Sequence, residues 1–408
     1  MDGSIPQRTK CFLAIGSAVL VGSLLLSGCS YQPEPYAENI SYMERGDPLV
    51  VSIPQTQPTA LDPPGELDEL PLLIKENKGT VLMPGELDGQ SRSELNKALI
   101  NVFGTPAHPK VDGKFAESGE DIGEDSELKL DTTALARGST LYRQHCLHCH
   151  GLNGDGHGPT AAWVIPHPRD YRQGKFKFSS SEQPSGSRKP RREDLLRTLK
   201  QGIEGTSMPT FGLLPAEDLE SLASYVIHLS LRGQVEFDTL QTKLQNGDLE
   251  GDTVEEHVNN RLGKFADQWR EAETKTIKPV SNPTYADKEY SDSVRRGYKA
   301  FVEQGAAGCV SCHKDFGRKN EYRYDDWGTI VRPINLVKGE YRGGRRPIDL
   351  YWRIHSGING SGMPSFGDLL SVTKTDGTKD DSKIWDLVNF IQVLPYPKML
   401  EKYGIDLK

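Results

Sequence analysis

Two pentapeptides set the strongest limit on what this 408-residue chain can become: Cys146-Leu147-His148-Cys149-His150 and Cys309-Val310-Ser311-Cys312-His313. Each places two thiols one helical turn apart and an imidazole next in line. Both sulfurs can then add to the vinyl groups of a haem while the histidine offers its nitrogen to iron. A Cys-x-x-Cys pair also serves as a redox dithiol or as half of a zinc site, but zinc normally wants a second pair of ligands. Of the 6 cysteines, the other two, Cys11 and Cys29, lie near the N-terminus. None is left over for a structural disulfide.

The N-terminus has the parts of an export signal: Arg8 and Lys10, an apolar run over 12–26, then small residues. That run is shorter than the roughly 20 residues a membrane-spanning helix needs. Leu26-Ser27-Gly28-Cys29 resembles the lipobox of bacterial lipoproteins. The resemblance implies a signal peptide over 1–28, acylation of Cys29, and attachment to the periplasmic or outer face of a bacterial membrane. With 36% apolar and 26% charged residues, the remainder is not a membrane bundle, and a net charge of -8 argues against a nucleic-acid surface.

Beyond the two motifs the chain repeats itself. Asp194-Leu195, Gly202-Ile203, Gly205, Met208-Pro209 and Phe211-Gly212 recur as Asp349-Leu350, Gly357-Ile358, Gly360, Met363-Pro364 and Phe366-Gly367, at a constant offset of 155. Nine identities in register across nineteen positions mark a duplicated unit. Each copy opens with a helix, over 135–144 and 294–303, carrying Gly138 and Tyr142 or Gly297 and Phe301. A glycine inside a helix costs roughly 1 kcal/mol relative to alanine unless something packs closely on it. Each copy closes with an amphipathic helix, striped by Leu219, Leu222, Val226 and Leu229 or by Ile384, Leu387, Val388 and Ile391. Crossing of the two helices at the glycine is expected to close the domain.

These patterns divide the chain into a tether over 29–125, rich in proline, glycine and acids, with one short helix at 93–103; a first helical unit over 126–233; a partly helical connector over 234–284, with Leu262, Phe265, Ala266 and Trp269 on one face; and a second unit over 285–403.

In its glycine-aromatic first helix, CxxCH motif, Met-Pro loop and terminal helix, each unit resembles a class I cytochrome c domain. The resemblance implies an all-α fold, two tandem domains of that class after a largely irregular N-terminal region, and two covalently bound c-type haems held by Cys146, Cys149, Cys309 and Cys312. It pairs His150 with Met208, and His313 with Met363, as axial iron ligands. Independently of it, a thioether is a soft ligand, and pairing Met with His raises haem potential. Pro209 and Pro364 then stiffen the sulfur loop, and Phe211 and Phe366 cover the haem edge. In Pro168-Arg169-Asp170-Tyr171 and Gly174-Lys175-Phe176-Lys177-Phe178 the first unit also resembles cytochrome subunits of cbb3-type oxidases.

With both iron faces closed, the expected role is one-electron transfer in a respiratory chain. The partners would be other redox proteins, among them a terminal oxidase or a quinol-oxidising complex, and no nucleic acid. A di-haem peroxidase needs an open or displaceable iron position, which the two Met-Pro loops oppose; a structural cytochrome subunit of a larger complex is the other alternative. The glycine-rich string over 151–158 lets backbone approach the haem, and a carbonyl near Pro159 is expected to accept the proximal imidazole proton. The equivalent stretch over 314–336 is charged and aromatic, so the two pockets should differ in potential. His145, His148, His167 and His355 read as surface or hydrogen-bonding residues, and the serine-rich, basic stretch over 179–192 as a solvated loop.

Overall fold

The computed structural model describes residues 40–53, 79–182, 184, 188–280, 287–303 and 308–407; the export signal and Cys29 lie outside them. The fold is all-α. Its helices are α1 (Gly89–Phe103), α2 (Thr132–His145), α3 (Leu147–His150), α4 (Arg192–Gln201), α5 (Ala216–Asn246), α6 (Val254–Thr274), α7 (Asp287–Val302), α8 (Pro347–Ser356), α9 (Gly367–Leu370), α10 (Ser382–Val393) and α11 (Pro397–Lys402). Short antiparallel strand pairs fringe them: β1 (Leu49–Ser52) with β2 (Thr80–Leu82), β3 (Arg323–Tyr324) with β4 (Ile330–Val331), and β5 (Val372–Thr373) with β6 (Lys379–Asp380).

Two hydrophobic cores form, and each is closed by one helix crossing. The Asp131 carboxylate starts α2 by accepting the Thr133 and Ala134 amides, both at 3.0 Å, a cap worth about 1 kcal/mol. One face of α2 then meets α5 at Gly138, which lies against the Ser221 carbonyl. A Cβ there would come within 2.8 Å of Ser221 C and of Tyr225 Cβ. In the second core Gly297 of α7 lies against the Asp386 carbonyl of α10, where a Cβ would meet Asp386 C at 2.5 Å and Phe390 Cβ at 2.9 Å. One turn further on, Tyr142 packs on Tyr225 with ring centroids 5.3 Å apart, and Phe301 on Phe390 at 5.5 Å. The expected crossing is thus present twice, down to the aromatic that follows the glycine.

The described part of the region expected to be a tether, residues 40–53 and 79–125, carries one α-helix and one strand pair and packs on the first core. Leu95, Leu99 and Phe103 of α1, and then Val111, Phe115, Ile122 and Leu128, all enter the first core. Burying such a side chain yields about 1.5–3 kcal/mol, enough to offset the roughly 1–2 kcal/mol of backbone entropy lost per ordered residue. Residues 40–47 are strapped onto the same core. Tyr42 shares a hydroxyl hydrogen bond with Tyr225 at 3.0 Å, and Met43 exchanges backbone bonds with the Asn153 side chain. The buried Arg172 guanidinium donates to Asp47 at 2.7 and 2.8 Å and to Asp170 at 2.9 Å.

Two further expectations are corrected. The boundary near 233 falls inside α5, which runs unbroken for 31 residues. Its second half packs on α6, with Arg261 of α6 bonded to Asp238 at 2.8 Å, and Gly233 lets the Arg172 backbone sit directly on the helix. Of the stretch over 179–192, expected to be a solvated loop, both described ends are buried. Ser179, Ser180, Ser181, Arg188, Lys189 and Arg192 are buried. Asp194 accepts the Ser180 amide and hydroxyl, and Ser180 O accepts the Ile277 amide. The segment reaches the second core through Arg188, which donates to the Ser356 carbonyl and whose own carbonyl accepts Asn359 Nδ2 at 3.2 Å.

Replacing Gly138 or Gly297 by alanine should lower stability by about 2 kcal/mol or more, since overpacking against a backbone carbonyl outweighs the roughly 1 kcal/mol of helix propensity gained. Urea unfolding monitored by circular dichroism measures this, and an unchanged midpoint in either variant would contradict the crossing. A second expectation concerns acid. Burial alone would raise the Asp47 carboxyl, but Arg45 and Arg172 overcome it and bring it from 3.8 to about 2. A depressed carboxyl contributes stability above its unfolded value and loses it as pH falls through its folded one. Stability should therefore decline between pH 4 and 2 more steeply in the wild type than in Asp47→Asn, which should already be weaker at neutral pH.

Candidate functional site

The first CxxCH motif occupies the α2–α3 junction. His150 N donates to Cys146 O at 2.9 Å, and the loop that follows returns Gly158 N to Cys149 O at 3.1 Å and Thr160 N to His148 O at 2.9 Å. The turn is thereby capped by its own sequel, which explains the glycine-rich string: Gly151, Gly154 and Gly156 have φ of 72°, 75° and 79°. The second motif has the same first turn, with His313 N on Cys309 O at 2.8 Å. Past it, the positive φ falls on Asp315 and Phe316, at 51° and 54°. For residues other than glycine this conformation costs about 1 kcal/mol or more each. Phe316 is kept there by stacking on Phe301 at 5.5 Å.

The proximal imidazoles are held by backbone. His150 Nδ1 lies 3.1 Å from Arg169 O, not from a carbonyl near Pro159 as the sequence suggested, and the ring stacks on Tyr171 at 4.8 Å. Burial lowers its pKa to about 4. The neutral ring therefore donates from Nδ1 and keeps the Nε2 lone pair for a metal. His313 is also lowered by burial, and its Nδ1 is 3.4 Å from Ile334 O, a carbonyl that already accepts Asn320 Nδ2 at 3.2 Å.

The two methionine loops share their closing bonds at the offset of 155, although the Met208 N–Thr206 Oγ1 and Gly212 N–Thr210 Oγ1 bonds of the first have no counterpart in the second among the described residues. Ile203 N donates to Met208 O at 3.1 Å and Ile358 N to Met363 O at 3.0 Å; Phe211 N reaches Leu199 O at 2.8 Å and Phe366 N reaches Ile354 O at 3.1 Å. Thr210 Oγ1 on Lys200 O and Ser365 Oγ on His355 O are both at 2.6 Å. Gly202 and Gly357, with φ of 66° and 72°, end α4 and α8 where a Cβ would strike the Met208 or Met363 carbonyl at 2.6 and 2.5 Å. Asp194 and Asp349 start those helices by accepting the Arg191 and Arg346 amides. Met208 and Phe211 pack against the first core, alongside the buried Cys146; Cys309 and Phe366 pack against the second, and Met363 is half-buried.

The donor set fits a c-type haem. Each CxxCH turn offers two thiols and an imidazole whose pKa is lowered by burial. Burial first, and the paired thiol second, push Cys146 up to about 12, so it stays protonated and unsuited to disulfide exchange. Among the described residues no cluster of three or more His, Cys, Asp or Glu side chains exists that would complete a zinc site. Of the other histidines, His148 is exposed and His167 bonds Pro168 O, as expected, and His145 lies 6.1 Å from Phe211; His355 differs, stacking on Tyr351 with its Nδ1 buried and without a hydrogen-bond partner among the described residues.

Residues 133–226 match the family described as cytochrome c oxidase, cbb3-type, subunit III. They form a cytochrome c domain, and such a domain carries covalently bound c-type haem and points to electron transfer. No curated protein matches the chain. A chain of the Kuenenia stuttgartiensis reducing HAO-like protein complex is similar in structure, at 26% identity over 63% of this chain and 95% of that one, with a TM-score of 0.45.

The matched loop geometry predicts matched sensitivity. Gly202→Ala and Gly357→Ala should each destabilise by about 1–3 kcal/mol, since both a positive φ and a carbonyl clash oppose the new Cβ. Chemical denaturation of the two variants tests this, and an effect in one copy alone would break the equivalence.

Proposed function

We propose that the chain is a one-electron carrier with two covalently attached c-type haems. One is held by Cys146 and Cys149 with His150 and Met208 as axial ligands, the other by Cys309 and Cys312 with His313 and Met363. The observation that carries this is the shared backbone closure of the two methionine loops. A sulfur loop duplicated together with a CxxCH motif is hard to explain by packing alone, because backbone contacts of this kind do not require methionine at the same position twice. The haems supply reversible one-electron chemistry. The protein closes both iron faces, excludes substrate, and sets the potentials.

The two potentials should differ. A proximal N–H···O bond lends the imidazole basicity and favours ferric iron. His150 makes that bond to an unshared carbonyl at 3.1 Å, whereas His313 competes with Asn320 at 3.4 Å. The second haem is then the more oxidising, and electrons run from the first site to the second.

Export and acylation of Cys29 would hold this relay at the periplasmic or outer face of a membrane, between redox proteins that donate and accept electrons; a quinol-oxidising complex and a terminal oxidase suit these roles. The family match over 133–226 favours a second reading, in which the chain is a cytochrome subunit of such a complex. A native gel of solubilised membranes stained for haem separates the two by the size at which the chain runs.

An optical redox titration of the purified protein tests the main proposal. It should resolve two midpoints and show the sulfur-to-ferric-iron charge-transfer band. Met208→Ala and Met363→Ala should each remove part of that band, and Asn320→Ala should lower the more positive midpoint alone. Stoichiometric carbon monoxide binding by the unaltered protein would instead reveal an open iron and support a peroxidase.

A further inference from the structure

Between the two sites lies a contact that no sequence pattern announced. Arg169, whose carbonyl holds His150, lays its guanidinium on the Trp327 ring, 3.6 Å from the centroid. The indole Nε1 of Trp327 donates to Asp170 O at 3.2 Å. The far edge of the same ring rests on Gly360, so closely that a Cβ there would come within 2.6 Å of Cη2. Gly360 belongs to the loop closed by Ile358 and Met363, and its carbonyl accepts the Asp326 amide at 2.9 Å.

The surroundings keep this ring in place. Buried Asp325 accepts the Trp327 amide at 3.1 Å and the Thr329 hydroxyl at 2.7 Å through one carboxylate oxygen. Its other oxygen faces Arg169 at 4.0 Å and Lys177 at 3.6 Å. Lys175 adds a 2.7 Å ion pair with Asp326. Cations from the first unit and carboxylates from the second thus press the indole against both loops, and a guanidinium on an indole face is worth about 0.5–2 kcal/mol by itself.

We propose that Trp327 couples the two haem sites, clamping the loop that holds His150 to the loop that carries Met363 and supplying a bonded route between them. This rests on the two-haem reading above. The route runs from His150 Nδ1 through the Arg169 carbonyl and the backbone to Asp170 O, across the indole N–H, and through the Trp327 side chain and backbone to the Asp326 amide, which donates to Gly360 O at 2.9 Å; the ring edge adds a direct packing contact on Gly360. Electronic coupling decays more slowly along bonds and hydrogen bonds than across gaps, so such a path matters wherever it replaces empty contact. One electron leaves a ferrous iron and reduces a ferric one. The indole is neither oxidised nor deprotonated, and no bond is made or broken.

The experiment uses the full holoprotein reduced by one electron per molecule in a flash, with intramolecular equilibration followed optically, and with both midpoints and the charge-transfer band measured in parallel. Trp327→Ala should keep two haems per chain, slow equilibration by about tenfold or more, and alter the band that reports Met363. Trp327→Phe keeps a ring but loses the N–H, and should fall between; it also decides the question should the alanine variant fail to fold. Lys379→Ala is the control. It removes an exposed ion pair with Glu182, 3.9 Å away, at another point of the same interface, and should leave the rate within about twofold. Equilibration unchanged in the Trp327 variants, or slowed equally by Lys379→Ala, overturns the coupling role. A wild-type chain carrying a single haem overturns the two-haem reading, and this inference with it.

Discussion

A carbonyl lying against a glycine organises each half of this molecule. Where Gly138 meets Ser221 and Gly297 meets Asp386, the backbones of two helices approach more closely than any side chain permits. In the first copy the CxxCH turn follows directly on the end of α2 and the methionine loop lies just ahead of α5, whereas in the second α9 and the β5–β6 pair stand between the methionine loop and α10. In both, the crossing anchors the helix from which the CxxCH segment departs. The aromatic one turn beyond the glycine fills the angle between the helices, and tyrosine in one copy with phenylalanine in the other keeps the ring while changing its polar tip. Tyr142 uses that tip to bond Gly151 O at 2.9 Å, tying the crossing to the loop beyond the motif.

Much of this was legible in the sequence, for a physical reason. The crossing glycines, the closing stripes and the methionine loops depend on local residue types at fixed spacing, and duplication displayed each of them twice. What escaped was set by long-range contact. The carbonyl that holds His150 comes from Arg169, nineteen residues on, and nothing in the string around Pro159 betrays its direction. Residues 79–125 read as part of a tether because proline, glycine and acids dominate the region, yet Phe103, Phe115 and Ile122 are spaced too irregularly for a periodic signal and are buried nonetheless. The basic run ending at Arg192 looked solvated by composition, and was buried because carboxylates and carbonyls from distant segments surround it.

The two halves meet through their own repeat. Arg197 of α4 bonds Asp194 at 2.8 Å and faces Asp349, the corresponding residue of the second copy, at 3.9 Å. One cation thus touches the helix-starting carboxylate of both units. Such pairing places equivalent helices side by side. The interface is asymmetric at Trp327, which the second copy contributes against Arg169 and Asp170 of the first.

The unbroken helix α5 has a consequence of another kind. Its first half crosses α2 and its second half carries the α6 layer, so one rigid rod sets the rotational phase between the two contacts. At 3.6 residues per turn, each inserted or deleted residue between Tyr225 and Asp238 would swing the second contact about 100° around the axis relative to the first. Changes of length there cannot be absorbed locally, and substitution is limited too, since Gly233 has no room for a Cβ and most of its neighbours are buried. The residue count of this stretch should therefore stay frozen across evolutionary time.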